Sequence, residues 1–220
     1  TLCRRKMEER MKRINKKKQL IYTYIEENIK EIIIISLIFI IGVVFGILLI
    51  NNVKDEGKEE ITSYVNTFIS NIKQGNSIDK FNVVKTDIKK DVLIGIILWI
   101  AGSTVVGIPI VYGIIGYRGF CLGYTVAAII AVIGAKHGIL IAIIGILMQN
   151  IVFIPSIILI AASGAKLYKK IIKNKNRENI KLEICKHSII SSFGIIGIII
   201  SSFIEVFLST NLLIFFGKYI

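Results

Sequence analysis

The sequence predicts an all-α protein, a polytopic membrane helical bundle of five transmembrane helices with its N-terminus inside and its C-terminus outside. The run Ile32–Ile50 contains no charged residue, and at ~1.5 Å per residue it extends roughly 28 Å, about the thickness of a bilayer's hydrocarbon core. A hydrophobic content of 54% and a mean hydropathy of +0.70 exceed the values of ordinary soluble domains. The basic residues gather beside the apolar runs, which is typical of membrane proteins.

Five apolar runs and the polar segments between them divide the chain into consecutive parts. These are a basic cytoplasmic N-terminal segment (1–31), a first span (32–50), an extracytoplasmic loop (51–91), a second span interrupted by Pro109 (92–115), a short third span (120–135), a fourth span (138–162), a basic cytoplasmic loop (163–187), a fifth span (188–208) and a C-terminal tail (209–220). The first run is longer than the apolar core of a signal peptide, so we expect it to remain as an anchor.

The distribution of positive charge predicts the orientation. Ten basic residues precede the first span, and eight lie between Lys166 and Lys186. Five crossings place both groups and Arg118 on one side, which the positive-inside rule assigns to the cytoplasm. If 120–135 entered and left on the same side, the second group would lie outside, so five complete crossings are favoured. The loop 51–91, which ends at Asp91, carries seven basic and seven acidic residues, whose charges cancel formally.

The formal net charge of +13 does not indicate nucleic-acid binding, because no aromatic-studded basic groove accompanies it. Membrane lipids are the expected partners of the basic segments. The sequence contains no HExxH, Walker or GxSxG motif and no Cys/His spacing typical of a metal site. We therefore expect no enzymatic activity, no cofactor and no metal.

Small residues at every fourth position mark three of the predicted spans. Helices in a bilayer associate through close backbone approach and a few polar contacts, so these stripes predict a tightly packed bundle with the third span near its centre. Internal packing is the favoured interpretation, and a surface for another membrane protein is the alternative; a homo-oligomer also remains open. The stripes comprise Gly42 and Gly46, then Gly119, Gly123, Ala127 and Ala131, then Gly197, Ser201 and Glu205.

Several polar or helix-breaking residues lie in or beside the spans. Glu205 is an intramembrane acid on the small face of the fifth span, and either function or proximity to the outer interface explains it. Gln149 and Asn150 are expected to hydrogen-bond across helices in the fourth span, where Pro155 is the main helix breaker. Arg118 is expected in the tight turn between the second and third spans. These side chains do not converge on a recognisable reaction.

The loop 51–91 contains a predicted amphipathic helix. Such a helix either lies in the membrane interface or packs on a partner protein, and the sequence favours neither. The loop is too short for a separate catalytic domain. The candidate partner-binding residues on the apolar face of this helix are Ile61, Tyr64, Val65, Phe68, Ile69 and Ile72.

An ordered set of short motifs runs from about 28 to 165. It comprises FIIGVVFG at Phe39–Gly46 followed by Asn51-Asn52, WIAG at Trp99–Gly102, Gly107 with Pro109, RGFCLGYT at Arg118–Thr125, and Gln149-Asn150 followed by Ile154-Pro155. With these motifs the chain resembles the stage II sporulation protein M family of endospore-forming bacteria. Met148 stands where family members often carry proline.

The resemblance implies a non-enzymatic, multipass protein of the mother-cell membrane at the engulfing septum. It implies a scaffold required for forespore engulfment, which recruits two peptidoglycan-degrading, membrane-associated proteins, an amidase/endopeptidase and a lytic transglycosylase. The predicted outer helix is the candidate for contacting them. The alternative is a small-solute or ion transporter or channel, with a polar path built from Glu205, Asn150 and the proline-containing spans.

Overall fold

The computed structural model describes residues 28–53, 55–73, 80–104, 106–173, 177–205 and 207. Within these residues the chain is helical and has no strand, which confirms the all-α prediction. A π-helical segment over Ala142–Leu147 joins α5 to α6, so these three elements follow one another without a break. We call this continuous helix, from Ala135 to Lys173, the rod. The α-helices are α1 (Asn28–Asn51), α2 (Asp55–Lys73), α3 (Lys80–Gly102), α4 (Ile108–Ile133), α5 (Ala135–Ile141), α6 (Met148–Lys173) and α7 (Arg177–Ile204).

Four stretches of the described chain are long and apolar enough to cross a membrane, namely Asn28–Asn51, Ile108–Ile133, Ala135–Ile172 and Ile180–Ile204. A multipass helical architecture is therefore confirmed, with four such helices rather than the predicted five. The helix α3 differs from them because its first half is polar. Its apolar half, 92–102, extends only about 16 Å at 1.5 Å per residue.

Contacts between neighbouring helices fix their relative directions. Gly42 of α1 lies against Gly116 of α4, and Gly46 lies against Gly123, so α1 and α4 run parallel. The helices α3 and α7 run in opposite directions, since Asp91 is near Ser202 whereas Trp99 is near Ser188. The helices α6 and α7 are also antiparallel, because they pair Ser163 with His187 and Lys170 with Glu183.

These directions give the bundle two distinct ends. One end carries the last residues of α1, the helix α2 and the junction between α4 and α5, and we call it the α2 end. The other end carries the first residues of α1 and the junction between α6 and α7, where Glu31 pairs with Lys169 at 2.8 Å. We call this the basic end.

The predicted turn between a second span ending at 115 and a third span beginning at 120 is wrong. Helix α4 continues through that region, and the chain turns instead between Ser103 and Gly107. The physical reason is Pro109, which occupies one of the first two positions of α4. A proline there lacks only an N–H that would have no partner within the helix, so it begins a helix rather than interrupting one. The last part of the predicted loop 51–91 is also helical, as the start of α3.

Pro155 does not break the fourth span, which is a second correction. It lies inside α6, which continues to Lys173. Membrane helices tolerate proline where neighbouring helices and local adjustments accommodate the lost hydrogen bond. The irregular region of this rod is the π-helical segment before α6.

The buried core lies among α1, α3, α4, α6 and α7. Its fully buried side chains include Ile35, Leu98, Ile115, Ile160 and Ile198. Large apolar side chains also cover the outer surface of α1, as expected for a helix whose outer face meets lipid. The core therefore joins the helices, and the exposed apolar surface suits the bilayer.

Candidate functional site: a polar centre below a groove

The glycines of α1 and α4 form a close seam between these two helices. A Cβ atom on Gly119 would overlap the backbone oxygen of Phe39, and one on Gly123 would overlap that of Val43. Gly42 and Gly46 are equally restricted by the backbone of α4. Further along the predicted stripe, Ala127 is half-buried and Ala131 is exposed, so the seam uses only the first part of the stripe.

The small residues of α7 face α6. A Cβ atom on Gly197 would overlap the Ser156 hydroxyl. Ser201 is fully buried and donates a hydrogen bond to the Ile198 carbonyl at 2.7 Å. Glu205, one turn further along, lines a groove at the α2 end.

A part-buried ion pair connects α3 to α4. The Nη2 atom of Arg118 donates to Oδ1 of Asp91 at 2.6 Å, and Asp91 is 7% exposed. The Arg118 guanidinium also lies over the Phe153 ring of α6, 4.3 Å from its centroid. A cation over an aromatic face is stabilised by the ring quadrupole, so Arg118 is held from two sides.

Two further side chains point at the second oxygen of Asp91. Gln149 of α6 donates to Oδ2 at 3.3 Å. The Ser202 hydroxyl of α7 lies 3.5 Å from the same oxygen, and its one hydrogen is shared between Asp91 and the Ile198 carbonyl of its own helix at 3.2 Å. Three helices therefore send donors to one carboxylate on a fourth, which distributes its charge among several hydrogen bonds. We call Asp91, Arg118, Gln149 and Ser202 the polar centre.

The polar centre lies deep in the bundle. Arg118 is ten residues from the start of α4, roughly 15 Å along the helix, and about 22 Å from its end. This is near the middle of a hydrocarbon layer about 30 Å thick, where an ionised side chain is costly unless it is paired. Arg118 therefore lies inside α4 and not in a turn, which corrects that expectation, and Asp91, the last residue of the predicted loop, is buried in the bundle.

The neighbours Gln149 and Asn150 have different roles. Gln149 bonds across helices to Asp91, whereas the Asn150 amide donates to the Ile146 carbonyl of its own rod at 2.7 Å. That carbonyl belongs to the π-helical segment, whose irregular hydrogen bonding makes an additional donor useful. The sequence predicts a hydrogen bond across helices from both residues, and in the structure Gln149 makes one.

This difference gives a direct prediction. We expect Gln149→Leu to lower the free energy of unfolding by about 1.5–3 kcal/mol, because Asp91 loses a charge-assisted hydrogen bond in a low-dielectric site. Asn150→Leu is the matched control, and its effect should be below about 1 kcal/mol because only a bond within the rod is lost. Denaturant unfolding in detergent micelles measures both. Equal effects of the two variants would contradict the assignment.

A groove of about 680 Å³ lies at the α2 end, between α2 and the bundle. Tyr124 and Thr125 of α4 form one wall, and Glu205 of α7 lies at its edge. On α2, Ile61 and Val65 face this region; Val65 is buried, whereas Tyr64 is 79% exposed. The other candidate contact residues, Phe68, Ile69 and Ile72, belong to α2 by backbone, and their side chains lie outside the described residues.

A smaller cavity of about 160 Å³ adjoins Arg118 and shares Thr125, Ile146 and Gln149 with the groove. The two together reach from α2 to the polar centre. Next to the polar centre on its basic side, fully buried Ile160 and Ile198 fill the space beside Gly95.

A family model described as stage II sporulation protein M matches residues 35–210, from the first turns of α1 to beyond α7. The chain belongs to this family. No curated protein and no solved structure matches it. Membership agrees with the resemblance carried by the motifs and, with the four apolar helices, indicates a sporulation-related multipass membrane protein.

A second buried polar group of this family member lies toward the basic end, and the sequence did not indicate it. His187 is 1% exposed; its Nδ1 lies 2.8 Å from the Ser163 hydroxyl and its Nε2 lies 3.2 Å from the Trp99 carbonyl. The Trp99 indole donates to the Ser188 hydroxyl at 3.2 Å. These bonds tie α3, α6 and α7 together where Gly102 and Gly164 touch. A single histidine in a basic loop gives no motif that would predict this.

The chemistry available to these groups is mainly structural. The Asp91 carboxylate accepts from Arg118 and Gln149 with the Ser202 hydroxyl within reach, and His187 is engaged at both ring nitrogens. Within the described ranges, no three His, Cys, Asp or Glu side chains are grouped as a metal site would require. The arrangement suits the fixing of helices in one position.

Proposed function

We propose that the chain is a non-enzymatic membrane scaffold that uses α2 to hold peptidoglycan-degrading proteins at the septum during endospore engulfment. The observation that carries this proposal is the position of α2. It is an amphipathic helix that contacts α4 at one end of a bundle, and it displays the exposed Tyr64 there. The proposed partners are an amidase/endopeptidase and a lytic transglycosylase, and the proposed location is the mother-cell membrane.

The charges of the bundle support this orientation. The basic end carries Lys166, Lys169, Lys170, Lys181 and Lys186, which the positive-inside rule favours on the cytoplasmic side. The α2 end then faces the cell wall. If α3 crosses together with its neighbours, the helix directions give five crossings with the N-terminus inside, because the polar half of α3 lies toward the α2 end.

The polar centre supports the scaffold proposal because it holds the helices of the bundle in fixed positions. It joins α3, α4, α6 and α7 in mid-bundle, and the seam joins α1 to α4. The sequence places just three residues, 52–54, between the end of α1 and the start of α2, so the position of α2 depends on that of α1. A partner bound to α2 would meet a surface held in place by the whole bundle.

Point substitution at Tyr64 tests the proposal more cleanly than deletion of α2, because Val65 contributes to the protein's own packing. We expect Tyr64→Ala to reduce co-purification of the hydrolases from crosslinked sporulating cells at least severalfold, with unchanged amounts of the membrane protein. Lys136→Ala is the matched control, as an exposed residue at the same end but outside α2. Undiminished recovery of both hydrolases with Tyr64→Ala and with Tyr64→Asp would refute α2 as the docking helix.

A transporter is the second candidate, favoured by one observation: the groove and the smaller cavity lead from the α2 end to an intramembrane ion pair. Against it, the fully buried Ile160 and Ile198 obstruct a continuation toward the basic end. Solute or ion flux in liposomes containing the pure protein, abolished by the neutral double variant Asp91→Asn/Arg118→Met, would favour transport. The scaffold predicts no flux above that of protein-free liposomes.

A further inference from the structure

We infer that the basic end binds one anionic phospholipid in a cleft between α6 and α7. The cleft is lined by Lys166, Leu167 and Lys170 of α6 and by Glu183 and Lys186 of α7, and we call it the basic cleft. It lies at the opposite end of the bundle from α2, so the inference is independent of the proposed partner docking.

The basic cleft is a concave site formed by two adjoining cavities. They measure about 290 and 280 Å³ and share Leu167, Lys170, Glu183 and Lys186. The second cavity extends past Lys166 to Ser163 and His187, where the two helices are joined by a hydrogen bond. This junction keeps the inner end of the cleft at a fixed width.

The lysines converge because Glu183 holds two of them. Its carboxylate pairs with Lys170 across the cleft at 2.7 Å and with Lys186 on its own helix at 2.9 Å. Lys166 also lies near Glu31 of α1, which pairs with Lys169. In this part of the described chain four lysines therefore surround two carboxylates, which leaves an excess of positive charge. The side chains of Lys170 and Lys186 are 37% and 64% exposed, so part of each faces outward. A phosphate at the mouth of the cleft would face several positive charges at once, and it would compete with the Glu183 carboxylate for Lys170 and Lys186.

The walls indicate a lipid rather than a soluble anion. Apolar side chains alternate with the lysines, and Ile189 and Ile190 continue the wall from the charged mouth toward the membrane interior, within about 6 Å of Lys186 along the helix. Ile189 is 54% exposed on this surface. A phosphate beside lysines and an acyl chain along the adjoining apolar wall match the headgroup and tail of one phospholipid. Basic pockets between membrane helices are known to select anionic headgroups in this way.

The test is lipid retention by the full chain, measured by native mass spectrometry after purification in detergent. Phosphatidylglycerol and phosphatidylcholine with identical acyl chains are titrated separately. We expect one phosphatidylglycerol to be held more tightly than phosphatidylcholine, and Lys170→Ala/Lys186→Ala to weaken that binding about tenfold or more. The control is Lys169→Ala/Lys181→Ala, which removes two positive charges and one ion pair from the same end outside the cleft, and its binding should stay within about twofold of the unsubstituted protein.

A second variant keeps the inference testable if the double substitution prevents folding. Glu183→Gln removes the competing carboxylate and should strengthen phosphatidylglycerol binding severalfold, whereas a carboxylate needed only to hold the helices together would give weaker binding. Equal losses in the two double variants would overturn the site. Displacement of the lipid by free glycerol 3-phosphate at equal concentration would also overturn it, because a soluble anion would then suffice.

Discussion

Arg118→Met is expected to destabilise the folded bundle by about 3–5 kcal/mol. The substitution leaves the Asp91 carboxylate buried in mid-bundle with Gln149 and Ser202 as its remaining donors, and an uncompensated buried charge is far costlier than a lost contact. The single tryptophan, Trp99, lies on α3 two turns from Asp91, so its fluorescence reports the loss of α3 from the bundle. Denaturant titration in micelles measures the change in the free energy of unfolding.

The double variant Asp91→Asn/Arg118→Met is the control. It removes both charges, and the amide carbonyl that replaces the carboxylate can still accept the Gln149 and Ser202 hydrogen bonds. We expect it to recover most of the lost stability, because a neutral replacement of a buried pair is often nearly neutral. Additive losses from the two single substitutions would show that the residues are not coupled.

Exchanging the charges, Asp91→Arg/Arg118→Asp, is expected to recover little. A longer arginine side chain would have to fit at position 91, which is 7% exposed, and an aspartate at 118 would lose the contact of the guanidinium with the Phe153 ring. This variant separates a simple requirement for opposite charges from the specific arrangement around Asp91. Recovery equal to that of the neutral double variant would show that only charge balance matters.

The membrane character and several helices could be predicted because hydrophobic runs of sufficient length have few alternatives in a bilayer. The close approach of α1 and α4 also follows from local sequence, since glycines four residues apart permit backbone contact. These features depend on composition and short spacing alone.

The boundary between α3 and α4 could not be derived as reliably, because the long apolar stretch from 92 to 133 includes only one charged residue. If Pro109 is taken to interrupt a span, although it begins α4, Arg118 falls in a turn. With the helix begun at Pro109, Arg118 would fall in mid-helix, and an intramembrane arginine demands an acidic partner. Asp91, at the start of an apolar run, was the available signal for that partner.

The groove and the His187 contacts depend on tertiary structure. Val65 belongs to an apolar face that the sequence predicts, but whether that face meets lipid, a partner or the protein's own helices depends on where α1 delivers α2. Likewise, His187 and Ser163 are 24 residues apart and meet only because α6 and α7 pack antiparallel. Sequence periodicity gives the face of a helix and not the neighbour it will meet.

The seam between α1 and α4 links the bundle to α2, so its disruption should reach the proposed docking surface. We expect Gly123→Val to lower the free energy of unfolding by about 1–3 kcal/mol or more, because a side chain there would overlap the Val43 backbone and force the helices apart. We also expect α2 to lose its packing on α4. A cysteine introduced at the buried position 65 (Val65→Cys) reports this loss. In the Gly123→Val background it should react with a membrane-impermeant maleimide at least about fivefold faster than in the Gly123 background, after subtraction of labelling at the native cysteines.

Gly113→Val is the matched control, because the same substitution in the same helix meets nothing within 4 Å. It should leave both the stability and the labelling rate close to those of the unsubstituted protein. If Gly123→Val destabilised the bundle yet left Val65→Cys protected, α2 would be held by contacts other than the seam. If Gly123→Val changed neither the stability of the bundle nor the labelling rate of Val65→Cys, the close approach of α1 and α4 would not contribute to the fold. The position of α2 would then not depend on it.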